Sequence, residues 1–143
     1  MAAVALAAVA LPTMSTSAQA ASCARGAVTP GAEQSMLNQV NAHRSKAGVA
    51  PLRTSSRLTS AGRQSARKMA RGARFAHDGF WWARGRTGAQ NIAMAPAANG
   101  DVNAMMRSAP HRKNILNKRL RHAGVGAARD CRGQIFFTLN LTG

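Results

Sequence analysis

Carboxylates are the scarcest chemistry in this chain. Glu33, Asp78, Asp101 and Asp130 are the only acidic residues among 143. Acid–base catalysis by a carboxylate pair needs two acids at one site with separated pKa values, and four scattered acids argue against it. Cysteine is rarer still. Cys23 and Cys131 are the only two, too few for a structural zinc site built on thiolates. Beyond its first residues the chain has no apolar run long enough to span a bilayer. It has no internal repeat, and no helix-turn-helix or RNA-binding signature.

Positive charge is abundant. There are 20 Lys and Arg against 4 acids, a formal net charge of +16. Such a field attracts polyanions such as nucleic acid, acidic lipid headgroups or anionic wall polymers. A generally basic proteome, or a surface adapted for solubility, would give the same count. At 143 residues and 45% hydrophobic, the chain suits one domain and is too apolar for a disordered tail.

Residues 1–20 read as a cleaved export signal. Met1 to Leu11 is almost wholly apolar, and Ala18-Gln19-Ala20 fits an A-x-A cleavage site. A positive leading segment is missing, and the run is too short to cross a membrane comfortably. This places the protein outside the cell or in the periplasm. It leaves 21–32 as a linker and 33–143 as the domain. In an exported chain, Cys23 and Cys131 suggest a disulfide tying the two ends together. Two unpaired thiols, or a lipid on Cys23, are the alternatives. Ala20-Ala21-Ser22 lacks the Leu usual before a lipidated cysteine.

The periodicity predicts a helix over about 32–47, with Met36, Leu37, Val40 and Asn41 on one face. Pro30 and Glu33 suit its start, and Gly48 and Pro51 suit its end. A second helix is predicted over about 55–72. Leu58, Ala61, Ser65 and Met69 form its apolar face, and Arg63, Arg67, Arg71 and Arg74 lie opposite. That stripe is either a solvated face or an anion-binding ridge. Residues 73–100 read as loop with short extended pieces. A third helix starts near Asp101 and closes at Pro110, and Asn114-Ile115-Leu116 suits a turn. Gly124–Gly126 and Gln134–Leu141 read as strands, with Ile135, Phe137, Leu139 and Leu141 alternating onto one side.

Several motifs together resemble the CAP superfamily, the SCP-like extracellular proteins, in its bacterial form. Asn41-Ala42-His43-Arg44 followed by Pro51-Leu52 is similar to the opening "N-x-x-R…P-L". Leu58-Thr59-Ser60-Ala61, running to Lys68-Met69-Ala70, resembles the second helix. Phe75-Ala76-His77-Asp78-Gly79 resembles "F-x-H-x-G", and Gly88-Ala89-Gln90-Asn91-Ile92-Ala93 resembles "G-E-N-I-A". Val102 to Met106, Ser108 and His111-Arg112-Lys113-Asn114-Ile115-Leu116 resemble "V-x-x-W-M-x-S-P-G-H-R-x-N-I-L", and Gly124-Val125-Gly126 completes the order. The resemblance covers about 33–143. It implies an α+β fold, an α-β-α sandwich with a small antiparallel sheet.

The resemblance also implies a cavity framed by two His and two Glu that holds a divalent metal. The histidines carry over to His77 and His111. The Glu positions fall at Gln90 and about Ser108, and Met105 stands where the pattern has Trp. Zinc prefers imidazoles joined by anionic ligands or thiolates. These substitutions therefore predict no cofactor, or weak zinc on His77 and His111 at most. Gln90 can donate an amide proton, as Glu cannot, and Arg112 adjoins His111. The expected pocket, His77, Gln90, Ser108, His111 and Arg112, is neutral or anion-binding.

Catalysis is not expected. Ser108 and His111 are spaced to meet, but no acid is placed to orient His111 except, remotely, Asp78. Trp81 and Trp82 among Arg84 and Arg86 suit base stacking or a membrane interface, or one core residue and one lid. Export removes most physiological nucleic acid, so nucleic acid is not the expected partner. The expected role is non-catalytic binding of anionic envelope lipids or wall polymers. The alternative is a divalent-metal pocket on His77 and His111, with or without hydrolysis. The sequence does not specify the oligomeric state.

Overall fold

A computed structural model describes residues 26–98 and 100–143. The export signal and Cys23 lie outside the described residues. Cys131 is exposed on the turn after β4.

The elements run β1 (Ala27–Val28), α1 (Pro30–Lys46), β2 (Arg53–Thr54), α2 (Ser56–Ala70), a turn of 3-10 helix (Trp81–Ala83), β3 (Gly88–Ala95), α3 (Val102–Arg107), α4 (Ala109–Ile115), β4 (His122–Arg129) and β5 (Ile135–Thr142). The sheet order is β1-β4-β5-β3, antiparallel throughout. β2 adds a short parallel pairing to the start of β4. β5 is therefore central, and β3 is an edge.

Strand alternation builds the sandwich. Ile135, Phe137, Leu139 and Leu141 of β5 join Ala123, Val125 and Ala127 of β4 on one face. There they pack with Met36, Leu37 and Val40 of α1, Val102 and Met105 of α3, and Ile115 of α4. The other face of β4 carries Gly124, Gly126 and Ala128, and α2 lies on it. A Cβ on Gly126 would sit 1.9 Å from the Gly62 carbonyl carbon, and one on Gly124 would sit 2.1 Å from Thr59 N. Helix backbone rests directly on strand backbone. The α-β-α layering implied by the resemblance is the observed fold.

Local sequence explains the helices. Pro30 opens α1 and Glu33 lies in its first turn. The Ser55 hydroxyl caps α2 by accepting from Leu58 N at 3.5 Å. Leu58, Ala61, Ser65 and Met69 are all buried, and Arg67 and Arg71 are exposed.

Two elements differ from the sequence reading. Residues 88–95 form a full strand, each paired with a residue of β5. Its polar pair, Gln90 and Asn91, hides the hydrophobic alternation that marks a strand. Pro110 starts α4 as well as closing α3. Ser108 caps the C-terminus of one and the N-terminus of the other. Pro lacks the amide that a first helical turn leaves unbonded.

Asn41 and Arg44 are structural. Asn41 clasps Leu52, donating to its carbonyl at 3.1 Å and accepting from its amide at 2.8 Å. The Arg44 guanidinium is 1% exposed. It donates to the carbonyls of Ala50, Ile115, Asn117 and Leu120 at 2.7–3.1 Å. Burial pulls its pKa down, and four carbonyl dipoles stand in for a counter-ion.

Gly126→Ala should cost about 3 kcal/mol or more, because the new Cβ meets backbone that cannot move aside cheaply. Urea unfolding would measure this. A loss below about 1 kcal/mol would mean that α2 shifts freely on the sheet.

Candidate functional site

The site forms around β3, whose alternation sends Gln90 and Asn91 to opposite faces. Gln90 is 3% exposed and lies opposite Asn140 of β5. Asn140 Nδ2 donates to the Leu58 carbonyl of α2 at 3.2 Å. A carbonyl can only accept, so Asn140 Oδ1 is turned towards Gln90 and takes its Nε2 at 2.8 Å. Gln90 Oε1 is thereby left to accept from His77 Nδ1 at 2.8 Å and from Asp78 N at 3.3 Å. The amide expected to donate towards a histidine or an anion accepts from the histidine instead. Its donor serves Asn140. This relay puts the His77 proton on Nδ1 and leaves Nε2 as the open nitrogen of the neutral ring.

The loop after His77 is held from inside. Asp78 Oδ1 accepts from Trp82 Nε1 at 2.9 Å and from Phe80 N at 3.2 Å. Asp78 Oδ2 is buried with no hydrogen-bond partner. Arg57 donates to the Trp82 carbonyl. The Phe80 ring stacks on His77 at 6.1 Å and tilts against Trp82 at 5.5 Å. Phe80 takes a left-handed backbone conformation, φ 62°, to make this turn. Trp82 is fully buried, and Trp81 is 60% exposed. The pair therefore divides into one core residue and one surface residue.

On the other face, Asn91 Nδ2 donates to the His111 carbonyl at 3.1 Å. Asn91 Oδ1 accepts from Asn114 Nδ2 at 2.8 Å. Asn91 thus fixes α4 against β3. His111 is half-buried. Burial first, then His77, lowers its pKa below the usual imidazole value. Ser108 is half-buried at the α3–α4 joint, and its hydroxyl makes no cap bond. Arg112 is exposed and donates to the Met106 carbonyl at 3.0 Å, which holds it along α3.

Sequence reading missed Asn91 and Asn140. The signal was an amide-rich edge strand facing an Asn in an apolar one. That pattern is meaningful only once the register is known.

The residues do not fit a tightly held divalent metal. A zinc site uses three or four ligands. Among the described residues no three His, Cys, Asp or Glu gather closely enough to hold one. Gln90 Oε1 is already engaged. Among the described residues Ser108 and His111 share no hydrogen bond.

The fold and these motifs define an α-β-α sandwich domain. The chain belongs to the CAP family, the cysteine-rich secretory protein family, whose model matches residues 37–141. Solved structures share the fold. An extracellular SCP-domain protein of Bacillus anthracis is 22% identical, covering 79% of this chain and 40% of its own, with a TM-score of 0.69. An outer surface protein of Borrelia burgdorferi is 15% identical over 82% of this chain and 97% of its own, also at 0.69. A cysteine-rich secretory protein of Staphylococcus aureus is 22% identical over 79% of this chain and 38% of its own, at 0.64. The chain thus spans about two fifths of the Bacillus and Staphylococcus proteins. No curated protein sequence matches it. Among the described residues no helix is long and apolar enough to cross a membrane.

Neutral His77 should carry its proton on Nδ1, read from 15N shifts of the ring. Asn140→Ala should release the tautomer towards the Nε2–H form common in water, and no change would break the relay.

His111 should titrate below about 6.5, and His77→Ala should bring its pKa part of the way back. The unfolded chain then binds the proton more readily than the folded one, so stability falls as pH drops through about 6.5. NMR titration and urea unfolding across pH 5–7.5 check both.

Proposed function

We propose that this protein is an exported, non-catalytic module that binds anionic components of the cell envelope, lipid headgroups or wall polymers. The observation that supports this is the placement of its few acids. Glu33 is buried and takes Arg63 in a two-point pair at 2.6 and 2.8 Å, plus Ala127 N at 3.2 Å. Asp78 serves Trp82 and Phe80. Asp101 caps α3 by accepting from Ala104 N. Asp130 Oδ1 accepts from the amides of Arg132 and Gln134. The acids are committed to local structure, and among the described residues most cations are exposed, with Arg44 the buried exception. The family's extracellular setting fits an envelope ligand.

The second reading, a metal pocket on His77 and His111 with or without hydrolysis, has the match of both residues to the family's histidine positions in its favour. The lack of an anionic donor to join the two imidazoles weighs against it.

A salt series separates the two. Binding to vesicles containing phosphatidylglycerol, or to soluble wall polymer, should weaken steeply as ionic strength rises, because charge contacts release counter-ions. Chelators should have no effect. In calorimetry, zinc should give no micromolar binding. Zinc binding of that strength, lost in His111→Ala, would overturn the proposal in favour of the metal pocket.

A further inference from the structure

The outward face of α2 borders a groove of about 710 Å³. Arg63, Arg67, Lys68 and Arg71 line it, with Trp81 alongside and Val28 and Ala61 contributing apolar floor. Arg63, Arg67 and Arg71 recur every four residues, which sets successive charges about 6 Å apart along the helix. Arg63 is shared with Glu33. Arg67 and Lys68 have no carboxylate partner among the described residues.

We infer that this groove is the seat of the anionic ligand, and that the ligand is a linear polyol-phosphate polymer. The inference rests on the anion-binding role proposed above and gives it a location. Arg67, with Lys68 beside it, favours a phosphodiester, because the guanidinium fork matches two phosphate oxygens at once, while the Arg63 fork stays on Glu33. A row of charges at even spacing matches a chain with one phosphate per short repeat. The concave shape favours a strand over a bilayer, since a flat headgroup surface touches only the rim. The apolar floor suits the carbon skeleton between phosphates. The exposed Trp81 indole offers a face for a polyol or an appended sugar. Nucleic acid is disfavoured by the aromatics. Trp82 is buried against Asp78, so a single indole remains where strand binding by stacking uses a series of them.

The test is titration of the full chain with poly(glycerol phosphate) free of lipid, followed by Trp fluorescence and calorimetry. The parallel arms are phosphatidylglycerol vesicles and single-stranded DNA. Trp81 is the exposed indole, so polymer binding should shift the emission to the blue, and Trp81→Ala should remove that shift. R67Q/K68Q should lower polymer affinity about tenfold and reduce the log–log salt slope by about 1 to 2. R53Q/R119Q removes the same charge outside the groove and should leave both nearly unchanged. Equal losses in the two double variants would overturn the groove while leaving a general anion-binding role. Binding to vesicles but not to polymer, or to DNA as tightly as to polymer, would overturn the polymer assignment alone. Binding in none of the three arms would remove the proposed function as well.

Discussion

Helix α2 meets strand β4 backbone to backbone, with no side chain between them. Gly62 of α2 lies against Gly126 of β4, and Gly124 lies against the Leu58–Thr59 peptide. Helix and strand approach until their backbones touch, which only glycine permits. Both the candidate site and the proposed groove depend on this approach. It sets the depth of Leu58, whose carbonyl fixes Asn140, then Gln90, then the proton on His77. It also holds α2 rigid while the opposite face of the helix presents its arginines to solvent.

Arg44 does for the other layer what the glycines do for this one. It lies beneath the loops that close α1 and α4 and satisfies four carbonyls with one buried guanidinium. A buried cation without a carboxylate is costly unless its donors are filled. Here they are filled by chain segments distant in sequence, so the charge staples those segments together. Asn41 and Asn91 work in the same way at smaller scale, each holding the backbone of a neighbouring element. Much of the polar core is therefore side chain to backbone. It ties segments distant in sequence to one another.

That economy shapes the candidate site. The family arrangement implied two histidines with two glutamates. This chain has an amide relay at one glutamate position and a helix-joint serine at the other. The Asn140–Gln90 pair needs a donor at position 90, which an ionised carboxylate cannot supply. Gln90 is thus fitted to its neighbour in the sheet. Neither glutamate position therefore carries a carboxylate, and most of the described cations lie on the outside of the molecule.

The sequence by itself determined the layers. Helical periodicity located α1 and α2, two-residue alternation located β5, and Gly-Val-Gly marked β4, because burying one face imposes its period on the residues. It did not show β3 as a strand, since Gln90 and Asn91 break the alternation, nor did it show that Pro110 opens α4. It named His77, Gln90 and His111, but not which way Gln90 would point. The basic stripe on α2 was legible as charge, and its closure into a groove beside Trp81 was not. Those features depend on strand register and on which segments meet across the fold. Tertiary structure alone decided them, because a hydrogen bond's direction and a groove's walls are properties of two segments held together, and each segment's sequence records only its own half.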